Sequence, residues 1–391
     1  MTRTIYDKKC VYVQALPIAD LMTPIGATPA VKEILVHGDI TIDTKGELAT
    51  FQTVNCNHYT DESNVVIRTQ GTIKFSKNIT ASFFKNHNEM ALAGFGSLLM
   101  DSPLVEIVKN TKVACTIAKT TGIVTITESV PATATAHGLL ATGQLVYIPE
   151  YGLRSISDIG TSPTFTLDTT VDTDVTGYFY PLETFNIANP DGNKNHIFNV
   201  LVKNDDGAYI VAMGCGVDIQ FEVTQDKQCL MSVTFTSPDM SKVESGVTPT
   251  ITAEVEGLPI IWDFDVSFFN TEAGVETAYF PQMLTLGRGI TVEPLKSVGG
   301  RNNIRGYLNR TAFKCAMKYD CDLNGKALIS SPRTIFGWSF YSTLQGIALY
   351  FSKTQHGQID YSSANSKHDS YGVNLDINHL GTSKVLFGIV K

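Results

Sequence analysis

The segment DCDLNGKALISS (320–331) places Asp320, Asp322, Asn324 and Gly325 at positions one, three, five and six of a calcium-binding loop. Oxygen ligands at that spacing wrap a hard cation, and the glycine permits the sharp turn. The twelfth position, where a bidentate Glu completes the sphere, is Ser331, and no helical pattern flanks the segment. Asp and Asn before Gly also build a tight hairpin turn, with KALI as its return strand, and the spacing favours that reading. NPDGNKNH (189–196) reads the same way. GFGSLL (94–99) opens like a dinucleotide-binding motif but lacks the third glycine and lies in a helix pattern, so its glycines serve close packing. The eight histidines do not cluster, and His137 falls in a turn with Ser155 and Asp158 at no triad spacing. No P-loop or HExxH stretch occurs. The expectation is no enzyme: no catalytic residue, no metal ligand and no cofactor.

A second polar pattern is more regular. In MGCGVDIQFEVTQDKQCLMSVTFTSPD (213–239), Val217, Ile219, Phe221 and Val223 alternate with Asp218, Gln220, Glu222 and Thr224. After the turn Gln225–Gln228, Cys229, Met231, Val233 and Phe235 alternate with Ser232, Thr234 and Thr236. A period of two repeated across a short turn predicts a hairpin with one face on a core and one face polar. That polar face is either a specialised wall or the ordinary solvent side of a sheet.

Similar alternation predicts strands at 71–84, 312–322 and 373–378, while NHNEMALAGFGSLLM (86–100) has helical spacing with Glu89 in its first turn. The chain therefore reads as mainly β with one short helix. From about Lys119 to Gly177 the composition shifts to Thr and Ala with few cations, which predicts a small inserted β module at 119–177. The body would comprise 1–118 and 178–391, with 1–24 as an irregular arm.

The 391 residues, 43% of them hydrophobic, can bury a substantial core and predict two or three domains. A net charge of −8, with no Lys/Arg run longer than two, argues against an open nucleic-acid-binding face. The N-terminus lacks the apolar stretch of a signal peptide, and the longest apolar run (90–100) is too short for a membrane span. Seven cysteines without a CxxC pair read as free buried thiols of a reducing cytoplasm. The sequons at Asn78 and Asn309 carry little weight without a secretory signal.

In its context, HIFNVLVKNDDGAYIVAMGCGVDIQFEVTQDKQCLMSVTFTSPD (196–239) runs strand, Asp-Gly turn, strand with a Gly214–x–Gly216 pair, then the alternating hairpin. This order resembles the central segment of the major tail tube proteins of long-tailed (siphovirus-type) bacteriophages. Thr28-Pro29-Ala30 leading into ILVHGDITIDTKGELATF, the helix pattern, and GIALYFSKTQHGQIDYSSANSKHDSYGVNLDINHLGTSKVLFGIV (346–390) are similar too. The likeness covers roughly 25–118 and 178–391. Within 119–177, TATAHGLLATGQLVYI resembles small β modules of phage structural proteins, although Gln144 replaces their Asp and an ordinary turn explains it as well.

The resemblance implies a tail-tube-type β-sandwich/barrel that assembles as homohexameric rings stacked into a tube. It implies a virion protein, put together in the bacterial cytoplasm, that meets terminator, tape measure and distal tail proteins. Double-stranded DNA would pass through without specific binding, and no membrane is involved. Asp218, Gln220, Glu222, Thr224, Ser232 and Thr234 are then expected to line an acidic bore. Lys74 and Lys77 would make it mixed if they share that face. The irregular arm, with Leu16, Pro17 and Met22, and the loop 52–70, with Asn57, Tyr59 and Asp61, are expected at ring-to-ring contacts. Deleting residues 1–20 should then permit rings but not long tubes. The module is expected on the tube exterior, dispensable for assembly. Two other readings remain: a distal tail or baseplate hub ring, and a receptor- or carbohydrate-binding virion protein using module aromatics such as Tyr147, Tyr151 and Phe165.

Overall fold

The computed structural model describes residues 10–17, 25–54, 60–80, 112–127, 142–149, 151–161, 163–171, 173–186, 196–203, 208–224, 228–243 and 247–254. It further describes 265–270, 276–279, 283–295, 305–310, 314–320, 335–342, 347–363, 371–379 and 385–389. The chain begins with β1 (Cys10–Pro17), β2 (Ala30–Leu35), β3 (His37–Val54) and β4 (Thr60–Asn78). Next come β5 (Val113–Ile117), β6 (Ile123–Ile126), β7 (Leu145–Ile148), β8 (Gly152–Ile159), β9 (Thr164–Leu167) and β10 (Val175–Pro181). β11 (Glu183–Asn186), β12 (His196–Lys203), β13 (Tyr209–Thr224), β14 (Leu230–Ser237), β15 (Asp239–Val243) and β16 (Thr250–Thr252) follow. Then come β17 (Asp265–Asn270), β18 (Glu276–Tyr279), β19 (Met283–Leu295), β20 (Arg305–Arg310) and β21 (Lys314–Asp320). The last are β22 (Phe336–Ser342), β23 (Ile347–Ser363), β24 (Tyr371–His379) and β25 (Val385–Ile389). The fold is mainly β, and no helix occurs among the described residues. The helix pattern at 86–100 and the Asp-Gly and Asn-Gly turns at 189–195 and 321–331 lie outside them.

Nineteen strands form one continuous hydrogen-bonded system, and β5 to β10 close a separate six-stranded barrel. The large system has two faces joined by β13. On one, β12 and β15 flank the first part of β13, with β1 and β2 beyond β12 and β16 parallel to β2. On the other, β14 and β19 flank the second part, with β4 and β3 beyond β14. The partners change at Gly214–Cys215–Gly216. Gly214 has a φ of 60°, a left-handed conformation that costs other residues about 1–2 kcal/mol, which is why glycine stands there. Its N–H donates to Asn199 Oδ1 at 3.1 Å, at the bulge of β12. Ser237 Oγ donates to Met213 O at 2.8 Å, tying the end of β14 to the same turn.

The apolar parities of the two faces meet between the layers. Phe198 of β12 packs edge-on to Phe235 of β14 with centroids 5.6 Å apart, and Phe75 of β4 lies 6.1 Å from Phe235. Ile73, Val217, Ile219, Met231 and Val233 complete this buried layer. Burying side chains of this size contributes roughly 1.5–3 kcal/mol each, which fixes the register, because a one-residue slip would turn the whole set to water.

Three expectations are corrected. Residues 10–17 are no free arm: β1 sits between β2 and β12, with Val11 and Val13 buried, Leu16 opposite Ile197 and Pro17 opposite His196. The prolines and short alternation hid it, yet proline is tolerated where a strand is paired on one side only, and β2 accompanies β1 only over Cys10–Val13. Nor are residues 52–54 and 60–70 loop: all of them are strand, and 55–59 lie outside the described residues. Thr60–Gln70 pairs with Lys45–Val54 as the far half of a hairpin, and β14 accompanies β4 only from Gly71.

The module extends past 119–177 on both sides. β5 and β10 pair over Val175–Ile117 to Phe179–Val113, and Pro181 pairs with Val146 of β7. Closing the barrel takes a strand from each flank, and those strands alternate like the body, so composition does not mark them. Its core holds Cys115, Ile117, Val124, Val146, Ile156, Phe165 and Phe179. It is also docked on the large system: Leu145, Leu153 and Leu182 pack with Ala348 and Tyr350 of β23. Tyr147 stacks on Tyr341 of β22 at 4.0 Å, and Tyr350 donates to Asp168 Oδ2 at 2.8 Å.

Candidate functional site

The face built by β3, β4, β14, β13 and β19 is where the sequence expectation can be placed. β13 pairs with β14 as Asp218 with Thr234 and Gln220 with Ser232. All six wall residues therefore share one side of the hairpin. Asp218, Gln220, Glu222 and Ser232 are exposed, while Thr224 and Thr234 are half-buried; the intervening parity is buried. Glu222 accepts a hydrogen bond from the Thr224 hydroxyl at 3.3 Å.

Register carries this side outward in both directions. Thr234 stands opposite Lys74 of β4, and Lys74 opposite Thr41 of β3. On the other flank Glu222 faces Thr285, and Asp218 and Gln220 face Gly289 and Gly287 of β19. Thr41, Asp43, Lys45 and Lys74 are exposed. The described face thus carries three carboxylates (Asp43, Asp218, Glu222) and two ammonium groups (Lys45, Lys74) among hydroxyls and amides. This corrects the acidic wall to a mixed one. Lys74 is two strands from Asp218, about 10 Å, beyond the screening length of about 8 Å at physiological salt, so their attraction is largely screened there.

Lys77 does not join the face. It has the parity of Phe75 and Ile79, its side chain is 4% exposed, and it forms an ion pair with Glu254. Glu254 also accepts the Leu35 N–H at 2.7 Å, and its own N–H donates to Glu33 Oε2 at 3.3 Å. A buried cation is tolerable only with such partners, and here the pair clasps β4 to β2 and the segment after β16. The missed signal was in the sequence: Ile73, Phe75 and Ile79 are odd-numbered and buried, so Lys77 goes inward and Lys74 outward.

Of the six residues expected at ring-to-ring contacts, three are described. Leu16 and Pro17 are bound into β1, Asp61 pairs with Thr53 near the hairpin tip, and Met22, Asn57 and Tyr59 lie outside the described residues. Of the module aromatics, Phe165 is core and Tyr147 belongs to the docking stack.

The described thiols near this face are unreactive. Cys215, buried behind it, has its thiol pushed up to about 12 by burial, against weaker hydrogen bonds that lower it; burial alone pushes Cys115 to about 11. Both stay protonated at neutral pH and serve as small apolar side chains. Cys115 and Cys215 are free thiols. Among the described residues no three His, Cys, Asp or Glu side chains could hold a metal ion, and no helix is long and apolar enough to cross a membrane. Comparison with protein-family models and with curated proteins finds no match to this chain.

Proposed function

We propose that the chain is a non-enzymatic structural subunit of a phage tail tube, forming hexameric rings that stack around a passage for double-stranded DNA. The observation that carries this reading is the face of β4, β14 and β13: one side buried, the other a polar wall whose described charges are few and of both signs. Such a wall stays wet, offers phosphate no cluster of cations, and holds too little charge to bind or strongly repel DNA. Asp218, Gln220, Glu222, Ser232 and Thr234 would line the bore. Among the described residues β3 has a strand on one side only, so its free N–H and C=O groups could be taken up by a neighbouring copy. Terminator, tape measure and distal tail proteins are the partners this role requires, and the virion tail is its location, with no membrane involved.

Negative-stain microscopy of the purified full-length chain tests the reading. Hollow tubes or stacked six-fold rings are expected. Single rings that never stack would move the protein to a distal hub, and monomers at every concentration would reject ring formation.

A further inference from the structure

The aromatic residues of the barrel divide by use, and one is left over. Tyr147 is stacked on Tyr341, Phe165 lies against Phe179 in the barrel core, and Tyr151 hydrogen-bonds Thr173. Tyr178 does none of these. It is 46% exposed on the outer side of β10, and the Lys112 ammonium, 4.6 Å from its ring centroid, steadies it.

Beside it runs a row of four threonines. Thr176 of β10 pairs with Thr116 of β5, Thr116 with Thr125 of β6, and Thr125 with Thr164 of β9. Four adjacent strands spaced about 4.8 Å apart make this a hydroxyl row about 14 Å long. All four point away from the barrel core: Thr176 is exposed and the others half-buried. Ala114 and Thr127 continue the uncharged surface next to Tyr178, and Ile123, 38% exposed, borders the row's other side. Among the described residues of this face, charges stand at its margins, at Lys112, Asp158, and Asp174 with Lys119 beside it.

We propose that this strip binds a neutral polysaccharide. The Thr164 hydroxyl donates to Thr161 O at 2.9 Å and is left as an acceptor, while those of Thr116, Thr125 and Thr176 can donate and accept, matching the hydroxyls of a sugar chain. An exposed aromatic ring offers an apolar platform for a sugar's C–H face. The empty charge balance disfavours polyanions, whose phosphates or sulfates call for clustered Lys and Arg. The barrel is held on the large system by the Tyr147–Tyr341 stack and the Tyr350–Asp168 hydrogen bond, so the strip is presented without a swivelling linker. A preorganised face loses less entropy on binding. The inference does not depend on tube formation.

The test is affinity electrophoresis of the full-length chain in native gels containing dextran, galactomannan, glucomannan or, as a polyanion, hyaluronate. Retardation is expected in at least one neutral gel, lost at least tenfold in Tyr178→Ala, retained in Tyr178→Phe, and weakened several-fold in Thr116→Val/Thr125→Val. Thermal unfolding of each variant, read in parallel, should match the parent. No retardation in any neutral gel overturns the proposal, as does retardation unchanged by Tyr178→Ala or confined to hyaluronate. A change in oligomeric mass with Tyr178→Ala, without loss of sugar binding, would assign the strip to a second copy and overturn it too.

Discussion

Asp218 and Glu222 lie on one side of one strand, exposed, with Lys74 on the same side two strands from Asp218. Replacing both acids by lysine would leave four ammonium groups against Asp43 on the described face. Because both side chains are exposed, the fold should be unaffected within about 0.5 kcal/mol. Under the tube proposal, particles carrying Asp218→Lys/Glu222→Lys assemble but release DNA more slowly; unchanged ejection kinetics would remove the face from the bore. Gly71 is a different kind of residue. An added Cβ would come within 2.7 Å of Asp43 O and 2.6 Å of Met240 Cε, and the backbone oxygen cannot step aside. Gly71→Ala should cost about 1–3 kcal/mol, seen as a lower urea midpoint. The buried thiols make a pH prediction. Cys215 and Cys115 are raised to about 12 and about 11 from 9.0, so the unfolded chain loses these protons first as pH rises. Stability from this source is intact below pH 9 and falls between about pH 9 and 12. Cys215→Ala should flatten that alkaline decline in urea titrations; an unchanged slope would assign it to other groups.

At the scale of elements, β1 changes what an N-terminal deletion means. Removing residues 1–20 takes away the strand between β2 and β12, together with buried Val11 and Val13. The expected result is loss of the folded chain, visible as aggregation and lost near-ultraviolet circular dichroism. Well-folded rings from the truncated protein would show that β2 and β12 tolerate the gap. The docking stack is equally specific. Tyr341 has its phenol pushed up to about 12, by burial first and then by Tyr147 and Tyr180, and it packs flat on Tyr147. Tyr341→Ala should destabilise the chain by about 2 kcal/mol and expose the barrel junction to limited proteolysis. An unchanged proteolytic pattern would mean that Leu145, Leu153 and Leu182 hold the junction alone.

For the whole molecule, the barrel is packed against the large system through an apolar junction. Excising residues 113–181 would uncover Tyr341, Ala348 and Tyr350, an apolar patch with no other described cover. We expect the excised chain to aggregate unless those residues are made polar, measured by light scattering; a soluble, assembling deletion would restore the appended-module view.

Much of this was legible in the chain itself. The alternation at 217–236 determined which side of β13 and β14 is polar, because a period of two and a buried core leave one choice of face. The same count, carried to 73–79, separates Lys74 from Lys77. Composition marked the inserted module, since its Thr-rich interior differs from the body. What only the tertiary structure decided were relations between distant segments. Lys77 finds Glu254, β1 finds β12, and β5 finds β10, none of which local pattern encodes, because pairing partners are selected by the collective fit of the whole core. Tyr147 and Tyr178 look alike in sequence; one is half-buried at a junction and one left in water, because closure of the barrel, and where it leans, sets which outward residues meet a neighbour.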